Sequence, residues 1–204
     1  MDNAINIYMS ILRDKKSTRE QFRSASYNVS LLLAREALNQ MKTKFFEFST
    51  PVATTQGVKC ADPVVLVPIL RSGITMIPPF LKLFPDATVG VVGFRRDEKT
   101  AQAQFYYANF PPMGKDHQII IVDPMIATGG TGIGTLELLK EKGISEKQIL
   151  FVSIVSSQEG IDAISKQYPN INIITAACDK ELNKDKFIVP GLGDFGDRYF
   201  GTLD

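Results

Sequence analysis

Five short apolar runs limit the fold of this chain more than any other feature. They read "PVVLVPIL" (63–70), "TVGVVGF" (88–94), "QIIIVD" (118–123), "ILFVSIV" (149–155) and "INIITAA" (171–177). Each is rich in Val and Ile and mostly continuous rather than alternating, the pattern of a strand covered on both faces. Helical stretches fall between them at 74–84, 131–142 and 160–168, the second ended by Gly143 and the third stopped before Pro169. Pro78 and Pro79 fit the 74–84 helix only near its first turn, where a missing amide costs least. Strands alternating with helices predict an α/β fold, a parallel sheet with helices on both faces. Ligands of such sheets gather beyond the carboxyl ends of the strands. That directs attention to 71–73, 94–101, 123–132, 156–160 and 178–198.

The first 45 residues read as helical, with apolar residues at Phe22, Val29, Leu32, Leu33 and Leu38 and a cap at Ser17 or Thr18 backed by Glu20. A looser β-like segment follows to about Gly57. One domain is expected over 1–204, made of an N-terminal elaboration (1–57), a core (62–177) and a closing segment (178–204). The N-terminal helices, whose apolar residues the sheet does not need, offer an oligomer surface. Composition removes several kinds of chemistry. With 23 basic and 22 acidic residues there is no broad footprint for nucleic acid. His117 is the only histidine, and Cys60 and Cys178 stand far apart, which leaves little room for a Cys/His metal site or a histidine-based triad. No signal layout or membrane-spanning run is visible, so a soluble, cytoplasmic chain is expected.

The richest strand end is "IVDPMIATGGTGIG" (121–134). If Thr128-Gly129-Gly130-Thr131 turns into the 131–142 helix, backbone amides and two hydroxyls converge at the positive end of the helix dipole. That arrangement holds a phosphate monoester without a basic side chain. Asp123, a few residues earlier, can accept hydrogen bonds from vicinal hydroxyls, so a sugar phosphate suits the pair. A P-loop is excluded because Gly-Lys-Ser/Thr is missing, and Gly130-x-Gly132-x-Gly134 is not the dinucleotide fingerprint G-x-G-x-x-G. Taken alone, the stretch also fits a glycine-rich turn with a capping Asp.

The motif "VDPMIATGGTG" resembles the phosphoribosyl diphosphate (PRPP) signature of type I phosphoribosyltransferases, and its Asp-Pro resembles the uracil phosphoribosyltransferase branch. "VPILRSGITM" (67–76), "GFRRDEKT" (93–100), "IVPGLGDFGDRYFGT" (188–202) and the opening "LRDKKSTREQFRSASYNVSLLLAREA" are similar to the same branch, so the resemblance covers nearly the whole chain. It implies a type I phosphoribosyltransferase fold with a C-terminal base-binding hood, and a pentosyltransferase activity: uracil and PRPP give UMP and diphosphate, with Mg2+ carried by PRPP.

The resemblance also implies site residues. Pro124, Met125, Ile126, Ala127, Thr128, Gly129, Gly130 and Thr131 would bind PRPP, with Asp123 on the ribose hydroxyls. Arg71 and Arg96 would take the diphosphate, Arg71 on a loop whose peptide is often strained in the family and Arg96 on a mobile lid, disordered over 95–106 without ligand. On position alone, Arg71 equally fits a surface arginine after a strand, and charged loop residues such as Arg96 are usually just solvated. Ile188, Gly193, Asp194 and Phe195 would line uracil, Asp194 also standing near PRPP or its metal. Without the resemblance, "PGLGDFGD" reads as a tight turn with a solvated acid.

Three departures from the family pattern stand out. Arg95 replaces a usual tyrosine, Phe195 replaces an alanine and can stack on the base or narrow its pocket, and Ser156-Ser157 replace Ala-Pro. Some family members form dimers or tetramers activated by GTP, so a homodimer or homotetramer and GTP as an activator follow as expectations. The same superfamily allows other roles: an RNA-binding regulator that senses PRPP or UMP, or transfer to a different base such as a purine.

Overall fold

The computed structural model describes residues 3–96 and 103–202. Two helices open the chain, α1 (Asn3–Arg13) and α2 (Arg19–Asn39), followed by an antiparallel hairpin of β1 (Thr43–Ser49) and β2 (Thr54–Cys60). Of the two expected caps, Thr18 is the one used. Its hydroxyl accepts from the Gln21 amide while the Gln21 side chain accepts from the Thr18 amide, a reciprocal capping box.

The sheet contains β3 (Val64–Leu70), β4 (Thr88–Val89), β5 (Val91–Arg96), β6 (Ala103–Asn109), β7 (Gln118–Val122), β8 (Met125–Ile126), β9 (Ile149–Ser157) and β10 (Asn172–Asp179). Its order is β10-β9-β7-β3-β5-β6, with β4 on β3 and β8 on β9. All five apolar runs become strands. Neighbours from β10 to β5 are parallel, and β6 joins the edge antiparallel to β5, making the sheet mixed. β6 carries Phe105, Tyr106 and Tyr107 exposed, so no continuous buried run marked it in the sequence.

The covering helices are α3 (Ile77–Leu83), α4 (Gly130–Glu141), α5 (Gln158–Gln167) and α6 (Phe195–Phe200). Pro78 and Pro79 fall in the first turn of α3, as expected. Strand residues alternate between two cores. Val64, Leu66, Ile120, Val122 and Val152 meet Leu12, Phe22, Val29, Leu33 and Phe80, whereas Val65, Val67, Ile119, Ile121 and Phe151 meet Leu136, Leu139 and Ile164. Helices therefore cover both faces.

Among the apolar residues of α1 and α2, Leu12, Phe22, Val29 and Leu33 are buried on the sheet, whereas Ile7 of α1 is exposed, as are Phe45, Val52 and Val58 of the β1–β2 hairpin and the β6 aromatics. At the two ends of the expected lid, Arg95 and Arg96 pair with Gln104 and Ala103 in the β5–β6 ladder. Residues 97–102 of that expected lid lie outside the described residues. No described helix is long and apolar enough to cross a membrane.

Candidate active site

The parallel register brings the predicted loops together. Pro68 of β3 lies opposite Val122 of β7, so Arg71 and Asp123 emerge from neighbouring strand ends. Contact between the two loops depends on Gly73. A Cβ there would run into the carbonyl oxygen of Val122, so only glycine lets the Arg71-Ser72-Gly73 turn lie across β7. The Leu70–Arg71 peptide is cis, and the exposed Arg71 guanidinium stands 5.6 Å from the Phe200 ring centroid.

Asp123 follows β7 directly, and one of its carboxylate oxygens accepts from the Met125 amide at 3.5 Å. Its surface keeps a window on solvent, but the surrounding strand ends strip most water from the carboxyl. Burial therefore pushes its pKa up to about 7, with the Met125 amide pulling weakly the other way.

The turn into α4 takes the expected form. Gly129 is the N-cap at φ 81°, a backbone state that a side chain would strain, and no side chain caps the helix. The Gly130 amide has only a long 3.5 Å approach to the Thr128 hydroxyl. The first amides of α4 thus stand ready for an anion. Gly132 and Gly134 serve packing instead. A Cβ at the first would press on Phe151 and at the second on Phe94, which accounts for glycines that match no dinucleotide motif. Met125, Ala127, Thr128, Gly129 and Thr131 line a cavity of about 140 Å³, together with Ala103 and Lys186.

Ser157 explains half of the Ser156-Ser157 departure. Its hydroxyl donates to the Ala127 carbonyl at 2.5 Å and accepts from the Gly160 amide at 2.9 Å, so it caps α5 and ties that helix to the phosphate-like loop. Ser156 donates to the Thr175 hydroxyl at 3.1 Å, joining β9 to β10.

A second small hairpin, β11 (Glu181–Leu182) with β12 (Ile188–Val189), overhangs the strand ends and leads through a cis Val189–Pro190 peptide into Gly191-Leu192-Gly193. Asp179 at the end of β10 accepts from the Gly191 amide at 2.9 Å, and Arg13 of α1 grips both Asp179 oxygens at 2.8 Å while donating to the Gly191 carbonyl. Burial would raise the Asp179 pKa. The Arg13 hydrogen bond, the Gly191 amide and the Arg13 charge outweigh it and hold the carboxyl below its ordinary value. Arg198 of α6 donates to the carbonyls of Leu192, Asp14 and Leu12, and its guanidinium lies over Phe22.

Two expected base-loop residues, Phe195 and Ile188, turn their side chains into the core. The Phe195 ring is 1% exposed, tilted against Phe22 and stacked on Tyr199, so it is a core residue that neither stacks on nor narrows a pocket. Ile188 is likewise buried in the core. Asp194 caps α6 by accepting from the Asp197 amide at 2.9 Å, and with Gly193 it is exposed at the rim. Backbone, not these apolar side chains, is what the loop presents. Arg95 is exposed; the Arg96 side chain lies outside the described residues. Lys186 and Ser157, absent from the expected site, reach it from elements distant in sequence.

Among the described residues no three His, Cys, Asp or Glu side chains gather as a metal cage. Asp123 and Asp194 stand singly. This donor set suits a divalent ion that keeps most of its waters and arrives on a phosphate ligand.

Comparison with known proteins agrees with this geometry. A model of the family described as uracil phosphoribosyltransferase matches residues 1–202. A uracil phosphoribosyltransferase from Campylobacter fetus subsp. fetus is 45% identical over 195 residues, covering 96% of this chain and 92% of the relative. One from Limosilactobacillus reuteri is 42% identical over 195 residues, covering 95% and 92%. Among solved structures, the AQ2163 protein from Aquifex aeolicus superposes with a TM-score of 0.89 at 28% identity over 99% of this chain and 96% of its own. The APRTase of Giardia lamblia shares the fold, with a TM-score of 0.55 at 10% identity over 78% and 82%. A helix start bare of side-chain caps, a lone strand-end carboxylate beside it and an end-to-end family match lead to one conclusion: this chain belongs to the uracil phosphoribosyltransferase family.

Proposed function

We propose that the protein transfers the 5-phosphoribosyl group of PRPP to uracil, giving UMP and diphosphate, and that its residues divide the work as follows. The observation that carries this reading is the uncapped start of α4 at Gly129–Thr131, set beside the single carboxylate of Asp123. Amides and hydroxyls of Thr128, Gly129, Gly130 and Thr131 hold the 5′-phosphate, and Pro124, Met125, Ile126 and Ala127 form the chain beneath the ribose. Ionised Asp123 accepts hydrogen bonds from the ribose hydroxyls. Arg71 and Arg96 take the diphosphate.

The bond from C1 of ribose to diphosphate loosens first, leaving positive charge on the ring. Fixed negative charge at Asp123 stabilises that state; as diphosphate departs, the held uracil nitrogen bonds to C1 and gives up its proton to solvent. Uracil presents alternating donors and acceptors on one edge. The backbone of Ile188, Gly193, Asp194 and Phe195 matches them with amides and carbonyls, while the side chains of Ile188 and Phe195 stay in the core. Asp194, exposed at the rim, would help hold a Mg2+ ion carried by the diphosphate, and such an ion would supply positive charge to the leaving group.

In this reading the segment 1–57 is an elaboration on a 62–177 PRPP-binding core, and 178–204 holds the base. The exposed apolar hairpin residues Phe45, Val52 and Val58 support a homodimer or homotetramer. GTP as an activator and the cytoplasm as the location follow from the family resemblance. The test is a product assay with PRPP, Mg2+ and uracil, hypoxanthine or guanine, each with and without GTP. UMP from uracil alone is the expected result. No UMP under either condition, or a purine nucleotide instead, overturns the reading.

A further inference from the structure

Among the described residues, Lys186 contributes the one charged side chain to the cavity formed with Thr128, Gly129 and Thr131. Its backbone position is costly. At φ 64° it has the only positive φ outside glycine among the described residues, a state that glycine adopts freely and lysine does not. The turn around it is well made. The Lys186 amide donates to the Asn183 carbonyl at 2.9 Å, and Asn183 Oδ1 accepts from the amides of Asp185 and Phe187 at 2.9 Å each. A long cation held in an unfavourable backbone state over an anion-shaped cavity suggests a residue kept for its head group.

Its present partner is Glu159, in the first turn of α5, with Nζ and Oε1 at 3.3 Å. The two side chains are 45% and 51% exposed, so the pair is solvated and weak. The start of α5 also favours the acid without the lysine. A phosphate dianion offers Lys186 more charge and more acceptor oxygens than Glu159 does.

We propose that Lys186 exchanges Glu159 for an oxygen of the phosphate bound at Thr128–Thr131, tethering the β11–β12 hairpin to the phosphate loop, and that Glu159 competes against this binding. The proposal deepens the transfer reaction argued above by adding to the phosphate subsite a cation that the Thr-Gly loop lacks.

The test titrates ribose 5-phosphate by calorimetry into the wild-type protein, K186G, K186Q, K186R and E159Q, with PRPP KM and kcat measured in parallel. K186G and K186Q should each weaken ribose 5-phosphate binding and raise the PRPP KM about tenfold, with kcat changed less than about twofold. K186R should stay within about threefold of wild type, and E159Q should bind about two- to threefold tighter. K186G should melt no lower than wild type, because glycine accepts this φ, so weaker binding cannot be laid to a damaged fold. K186G and K186Q binding ribose 5-phosphate as tightly as wild type would overturn the proposal. A wild-type protein that makes no UMP but shows the expected binding series would defeat the transfer reading and leave the lysine's role supported.

Discussion

Ser157 and Ala127 are joined by a 2.5 Å hydrogen bond, so the helix after β9 and the loop after β7 are one mechanical unit. Because the same hydroxyl caps α5, Ser157→Ala removes a helix cap and strips a loop carbonyl of its donor. A loss of about 1–2 kcal/mol in denaturant unfolding is expected. The PRPP KM should rise roughly threefold or more while the uracil KM holds, since the displaced carbonyl borders the phosphate cavity and not the base loop. Equal shifts in both constants would show that the bond does not act through this loop.

The Arg13 grip on Asp179 and Gly191 fixes the base loop from α1, across 166 residues of sequence. Arg13→Met leaves a carboxylate that is 8% exposed without its cation, at a cost of about 2–3 kcal/mol. Uracil KM should rise more than PRPP KM. The acid side of the stability profile should change too. Asp179 has its folded pKa depressed, so its contribution is present above the unfolded value and disappears as pH falls through the folded one. Urea midpoints between pH 2 and 5 in the variant should therefore show a shallower acid loss than wild type.

Asp123 behaves in the opposite sense. Its folded pKa of about 7 lies above the ordinary 3.8, so the protein is favoured while the group is protonated, below pH 4, and loses that stability as pH rises toward 7. The proposed mechanism uses the ionised form, so kcat/KM for PRPP should climb with pH to a half-maximum near 7 in the free protein. Asp123→Asn should flatten both profiles, melt higher than wild type at pH 8, and cut kcat/KM about 100-fold or more. Undiminished turnover would remove Asp123 from the mechanism.

Gly73→Ala places a methyl group against the Val122 carbonyl and pushes the Arg71 turn off the end of β7. Overpacking of this kind costs about 1–3 kcal/mol. kcat should fall at least tenfold, because Arg71, proposed above to take the diphosphate, moves relative to Asp123. Normal turnover with lowered stability would mean that the turn's position does not matter to the chemistry.

Legibility in the sequence followed the range of each interaction. β3, β7 and β9 announced themselves as Val/Ile runs because both their faces are buried, and Asp123 and Thr128–Thr131 followed from the rule about strand ends. β6 did not, since its outward Phe105, Tyr106 and Tyr107 break any apolar pattern at a sheet edge. The burial of the Phe195 ring was not legible, because a ring beside a glycine-rich loop looks available and only the tertiary packing of Phe22 and Tyr199 claims it. Lys186 is brought to the phosphate cavity by a hairpin some 55 residues from the loop it faces, and its one local signal, a lysine inside an Asn-x-x-Lys turn, carries no chemistry by itself.

The most direct measurement is a crystal structure of the UMP complex. The phosphate should lie on the amides of Gly129–Thr131, the ribose hydroxyls on Asp123, and the uracil edge on the backbone between Ile188 and Phe195. Well-defined density that places the phosphate away from the start of α4, or the base away from that backbone, would contradict the account.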